Sequence, residues 1–306
     1  MAACPCNRRR NYMTLSPETP TPQTRDEKRA KGSKNSELVK RILSGIALSV
    51  TALGLTLYSP ASFLVLILVG TAVMAWEWRN MVSRGTASGA SLTALGIHSV
   101  ATLGAVTLTY LGQGLSGLGL VGLGALLLLA VPANSDRLHA FIGPIYTGLP
   151  AMALVWLRSD ADYGVVAVLF VLLLVWMADI GAYAAGRTFG GPKLAPRISP
   201  NKTWSGALGG LLGSALVALA VGAYLDGIAV LPIVIVAIIL AIASQIGDLY
   251  ESSVKRRFGI KDSSNLIPGH GGILDRVDGL IAAAVVAGTI ALFFNSVHPG
   301  HAILVW

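Results

Sequence analysis

Apolar segments of roughly bilayer-spanning length recur along this chain, near residues 42–58, 61–78, 92–111, 115–132, 140–157, 163–186, 204–224, 228–249 and 279–297, and that recurrence leaves few folds open. A helix crossing the ~30 Å hydrocarbon core needs about 20 residues, and each segment suits one. With 54% hydrophobic residues and a mean hydropathy of +0.67, the chain is far too apolar for a soluble domain of 306 residues. The fold expected is all-α, a polytopic integral membrane protein of about nine transmembrane helices.

The basic residues test that count independently, because cytoplasmic loops carry the excess of Lys and Arg. With the N-terminus cytoplasmic, all but Arg158 of the 23 Lys and Arg residues fall on the inner side. A merged or missed span would invert the later loops and destroy the pattern. The net charge of +8 then reports orientation and affinity for anionic lipid. Nucleic acid is excluded as a partner, since the basic clusters lack aromatic interleaving.

Residues 1–40 are polar, rich in Pro, Thr, Lys and Arg, and without apolar period, so a disordered, basic cytoplasmic tail is expected there, followed by a transmembrane domain over 41–306. A leader this long before the first apolar run does not resemble a cleavable signal peptide. Cys4 and Cys6, the only cysteines, lie in that tail, and no structural disulfide is expected. Gly117, Gly119 and Gly122 spell GxGxxG, but within an apolar run with no preceding strand and no acidic partner, so they read as packing or flexible glycines. Gly206, Gly210 and Ser214, four residues apart, would let two helices approach closely. His298 and His301 lack the spacing of a zinc site and read as solvated.

Three stretches on the inner side hold nearly all the polar groups that a bilayer excludes. The first, Trp176–Gly206, places Asp179, Tyr183 and Arg187 on one helical stripe. Asp179 lies deep in an apolar segment, where an ionisable residue faces a cavity or a partner, and a pair with Arg187 or Lys202 is the structural alternative. Ser199 and Thr203 are candidate caps for the next helix, with Lys202 beside them as a phosphate contact or an ordinary inner-side lysine. The second, Ser244–Arg257, puts Asp248, Glu251, Ser252 and Lys255 on one face. In the third, Pro268–Asp278, glycines would allow close approach to a ligand at a helix start, and Asp275 and Asp278 share a face. His270 is either a proton carrier or phosphate donor, or a loop histidine bonded to a carbonyl. Carboxylates from several helices with no Cys or His cluster suit a hard cation such as Mg²⁺, and Mg²⁺ beside many Lys and Arg residues suits phosphoryl or nucleotidyl transfer.

The run S-x-x-K-R at Ser252–Arg256, K-D at Lys261–Asp262, L-I-P-G-H-G-G at Leu266–Gly272 and D-R-x-D at Asp275–Asp278 closely resembles the signature of the phosphatidate cytidylyltransferases. I-S-P-N-K-T-W-S-G at Ile198–Gly206 and D-x-x-A-Y-x-x-G-R at Asp179–Arg187 are also similar to that family. Ser205 departs from it, since many members carry Glu after the Trp, and a serine supplies no carboxylate at that position. The resemblance implies a reaction of CTP with inner-leaflet phosphatidic acid to give CDP-diacylglycerol and pyrophosphate, Mg²⁺-dependent, at the bacterial inner membrane on its cytoplasmic side. It points to Asp248 and Asp275 as metal ligands, with Asp278 and Asp179 as further ligands or supports, and the catalytic part falls in 176–280. Lys202, Lys255, Arg256 and Arg276 become the phosphate contacts, with Ser199, Thr203, His270, Gly271 and Gly272 as further substrate-binding residues. A second, monovalent cation and a homodimer stay open. The rival readings are a CTP-dependent polyprenol kinase, which would release CDP, and an ion-coupled transporter, disfavoured because the charge gathers on one face and in the C-terminal half.

Overall fold

The computed structural model describes residues 45–84, 91–131, 136–225, 227–267 and 271–305. The expected tail and His270 lie outside them. The helices are α1 (Gly45–Tyr58), α2 (Pro60–Val82), α3 (Leu92–Tyr110), α4 (Gly114–Ala130), α5 (Arg137–Arg158), α6 (Gly164–Phe189), α7 (Trp204–Tyr224), α8 (Val230–Arg257), α9 (Leu274–Phe294) and α10 (Pro299–Leu304). Seven of them, α2, α3 and α5–α9, are long and apolar enough to cross a membrane, and α1 and α4 are shorter apolar helices. Helices close their own backbone hydrogen bonds, which hydrocarbon cannot supply, so this is a multi-pass, all-α membrane protein.

Side chains sort the helix ends into two groups. At one end Trp78 Nε1 donates to the His139 carbonyl (2.8 Å) and Arg257 pairs with Asp136 (2.9 Å). These contacts join the end of α2, the start of α5 and the end of α8. At the other end Arg158 Nε donates to the Thr56 carbonyl (3.1 Å), and Asp160 Oδ2 accepts from the amides of Gly300 and His301 (3.0 and 3.1 Å). Arg158, the one cation set apart by the charge pattern, thus lies at the opposite end from Arg257 and is buried.

The main core runs through the middle of the bundle, with Phe170, Val171 and Leu174 of α6 packed among Leu157, Ile233, Leu240 and Ala284. A second cluster, Met74, Trp78, Met81, Val254, Leu274 and Ile281, braces α2, α8 and α9 at the end that carries the polar stretches. Rings extend it, with Trp78 and Tyr146 centred 4.8 Å apart and Tyr146 and Tyr250 5.5 Å apart.

Backbone meets backbone between α6 and α7. A Cβ on Gly181 would overlap the Gly209 carbonyl oxygen, and one on Gly213 would approach the Met177 carbonyl closely. The small-residue stripe read from Gly206, Gly210 and Ser214 faces α6, where a Cβ on Gly210 would lie 2.8 Å from the Ala178 oxygen and Ser214 Oγ donates to Leu174 (3.0 Å). Of the GxGxxG glycines only Gly117 is in close approach, to α3; Gly119 and Gly122 face open space.

Four details differ from the sequence reading. A two-stranded antiparallel hairpin, β1 (Lys193–Ala195) and β2 (Ser199–Thr203), joins α6 to α7, after Gly190 and Gly191 turn the chain at φ 59° and 102°. The helix α8 runs on to Arg257 and α9 begins at Leu274, because the charged turns emerge from the apolar segments without a break in helical hydrogen bonding. Ser199 pairs within the hairpin instead of capping α7; Thr203 alone is the cap, its Oγ1 accepting from Gly206 N (3.1 Å). His298 is exposed as expected, but His301 lies in α10 with its ring edge-on to Tyr163 (5.6 Å).

Candidate active site

The end of α6, the hairpin, the start of α7 and α8 enclose a cleft of about 480 Å³. Its walls carry Asp179, Tyr183 and Arg187 from α6, Asn201 and Lys202 from β2, and Gln245 and Asp248 from α8. Helical periodicity delivers the α6 stripe, while the hairpin register turns Lys202 inward one residue before the Thr203 cap.

Within the cleft, Lys202 Nζ forms an ion pair with Asp248 Oδ2, and Ser252 Oγ lies 3.3 Å from Asp248 Oδ1. Asp179 makes neither alternative pair, because Lys202 is committed to Asp248 and Arg187 donates to the Tyr183 hydroxyl (2.6 Å). Asp278 sits alongside: a Cβ on Gly247 would meet the Asp278 carbonyl oxygen at 2.8 Å. Asp179, Asp248 and Asp278 lie within electrostatic range of one another, and Arg276 within range of Asp179. Arg276 is exposed, and so is Arg256, whose guanidinium donates back to the Ile260 carbonyl (3.3 Å).

The third polar stretch builds an adjacent, drier centre. Lys255 Nζ bridges Asp275 Oδ1 (2.7 Å) and Glu251 Oε1 (3.2 Å), and the Tyr146 hydroxyl lies 3.4 Å from Glu251 Oε2. The second oxygen of Asp275 accepts from Ser263 N (2.8 Å), Ser263 Oγ (2.8 Å) and Gly272 N (2.9 Å). The glycines do serve close approach, but to the protein's own groups. Gly271 has φ 82°, and a Cβ on Gly272 would overlap both Ser263 Oγ and the Glu77 carboxylate.

Glu77 is the residue that sequence reading missed. It is fully buried near the end of α2, and its carboxylate receives Ser264 Oγ (2.6 Å), Ile273 N (2.9 Å) and Leu274 N (2.8 Å), with Ser263 Oγ at 3.4 Å. A carboxylate inside an apolar segment was the available sign, the same one that singled out Asp179.

Among the described residues no three His, Cys, Asp or Glu side chains form a ready metal cluster. Mg²⁺ commonly takes only one or two protein carboxylates and completes its shell with water and substrate phosphate. The oxygen-only donors around Asp248 therefore fit that ion by chemistry, and Asp275 retains acceptor capacity on Oδ1 beyond its single bond from Lys255.

Residues 39–294 match the family model described as the cytidylyltransferase family. The chain belongs to that family, and is thereby a nucleotidyltransferase. The phosphatidate cytidylyltransferase of Brucella suis is 40% identical over 257 residues, spanning 82% of this chain and 92% of that protein. That of Staphylococcus saprophyticus is 47% identical over 144 residues (47% and 54%), and that of Haemophilus influenzae 40% identical over 183 (53% and 62%).

Proposed function

We propose that this chain is a phosphatidate cytidylyltransferase, joining CMP from CTP to phosphatidic acid with release of pyrophosphate. The observation that carries the reading is the cleft itself: a lysine and a carboxylate, Lys202 and Asp248, face each other among Asp179, Arg187 and Gln245 at the charged end of the bundle. A phosphate oxygen of phosphatidic acid attacks the α-phosphorus of CTP, the α–β anhydride bond breaks, and pyrophosphate carries away the electron pair.

Asp248 and Asp275 would hold Mg²⁺, with Asp278 and Asp179 as additional donors. When bound, the ion supplies charge neutralisation at the reacting phosphates. Lys202, Lys255, Arg256 and Arg276 would contact phosphate and pyrophosphate, Lys202 from the cleft wall and Arg276 from an exposed position within electrostatic range of Asp179. Ser199, Thr203, Gly271, Gly272 and His270 complete the substrate contacts, the glycines by letting the loop close on its own carboxylates. A monovalent cation as a second ion, and a homodimer, belong to the same reading. The charge pattern favours a cytoplasmic N-terminus and an active site on the cytoplasmic face of a bacterial inner membrane, where CTP and inner-leaflet lipid meet.

The test is purified protein in detergent with phosphatidic acid, CTP and Mg²⁺. Pyrophosphate and CDP-diacylglycerol in equal amounts are expected. CDP as the nucleotide product would instead mark a kinase, and absence of both under every lipid presentation would overturn the reading.

A further inference from the structure

We propose that Glu77 is a positioning residue: from α2, outside the catalytic stretches, it fixes Ser263, Ser264 and the turn at Gly272–Leu274, and through them the Asp275–Lys255 pair. Four donors converge on its two oxygens, two of them amides at the entry to α9 and two of them the hydroxyls of Ser263 and Ser264. A carboxylate accepts, and among the described residues the hydrogen-bond partners of this one are all donors. Ser263 Oγ lies within reach of both Glu77 (3.4 Å) and Asp275 (2.8 Å), so the two carboxylates share one hydroxyl. Gly272 passes between Glu77 and Ser263 where no side chain fits, and donates its amide to Asp275. Ser263 and the turn into α9 are thus held from two sides, by Asp275 on that helix and by Glu77 on a helix nearly two hundred residues away in sequence.

The position of Asp275 Oδ1, and of the Lys255 ammonium that it holds, is set by that clamp. Glu77→Gln keeps the shape but places an amide NH₂ where an oxygen now receives donors, so one pair of bonds is lost and donor faces donor. Displacing a reacting constellation by about 1 Å can cost on the order of 10²-fold in rate. The kinetic half of this inference rests on the phosphatidate reading; the clamp itself does not.

The experiment compares the full-length chain with Glu77→Gln and Glu77→Asp by hydrogen exchange and steady-state kinetics. For Glu77→Gln, exchange is expected to rise in peptides covering 261–276 while those of α3 and α4 stay unchanged. Turnover should fall about 10- to 100-fold with KM for CTP changed less than about threefold, and Glu77→Asp should recover part of both. A Glu77→Gln protein with wild-type exchange in 261–276 overturns the clamp. A loosened segment with unchanged turnover overturns the positioning role, as does exchange rising throughout the molecule with normal turnover per folded protein. Should Glu77→Gln fail to fold, Ser264→Ala removes a single donor and leaves α2 intact; it must show the same changes in smaller degree, and no change refutes the proposal. A wild-type protein that releases no pyrophosphate sinks the phosphatidate reading alone, because the exchange arm still decides the clamp.

Discussion

Lys255 shows how much a single side chain holds at the charged end of the bundle. It lies between Glu251 and Asp275, carboxylates whose side chains are 1% and 4% exposed. Removing one partner of a buried ion pair costs about 3–5 kcal/mol, because the remaining charge is left without compensation. Lys255→Met is therefore expected to lower the thermal midpoint sharply, and adding Glu251→Gln should restore part of the loss. The two carboxylates nominated for metal should also separate under substitution. Asp275→Asn breaks into a set of four donors at a buried site, whereas Asp248, at 28% exposure, has Lys202 and Ser252 as its partners. Both variants should lose turnover by orders of magnitude, but only Asp275→Asn should also lower the thermal midpoint clearly. Equal stability of the two would remove the anchoring role of Asp275. At the far end of the molecule, burial of Asp160 would raise its pKa, but amides of Tyr163, His301, Asp162 and Gly300 outweigh that and leave it below the usual carboxylate range. A depressed pKa means that the stability it contributes is present above about pH 4 and is lost as pH falls through the lower folded value. Acid should thus destabilise the wild type more than Asp160→Asn, and parallel midpoint curves for the two would contradict this.

At the scale of elements, the cleft depends on how closely α6 and α7 approach. Glycine at 181, 209 and 213 lets carbonyls pack against Cα atoms, so Asp179 on α6 and Lys202 just before α7 face one space. The glycine stripe was legible as spacing, but its partner was not, because a small-xxx-small pattern states that something comes close without naming it. Gly209→Leu would drive a side chain into Ala185 and the Gly181 carbonyl. Overpacking of this kind costs about 1–3 kcal/mol. CTP turnover is expected to drop more steeply than the thermal midpoint, since widening the crossing separates the cleft walls before it unfolds the bundle. A variant with wild-type turnover would show that the crossing does not set the site. The hairpin escaped the sequence reading because Lys193–Thr203 has neither a clean alternation nor an apolar face; it is held by the turn at Gly190 and Gly191 and by Trp204 N donating to the Pro192 carbonyl (3.1 Å).

At the scale of the whole molecule, the alternation of basic and neutral ends makes a topological claim. Cysteines placed at Arg197 in the hairpin turn and at His298 before α10, in a background with Cys4 and Cys6 replaced, should label from opposite sides of the membrane, with Arg197 on the cytoplasmic side. Labelling from one side, or in reverse, would refute the assigned orientation. Sequence by itself determined the helical class and the positions of most helices, and it nominated Asp179, Lys202, Asp248 and Asp275 as candidates, because hydropathy and charge in a bilayer act segment by segment. Tertiary structure alone decided which of those residues meet: Lys202 with Asp248 across the α6–α8 cleft, and Lys255 with Asp275 beside it. It also brought in Glu77, since a helix in hydrocarbon reveals how deep a carboxylate lies but not which distant amides turn toward it.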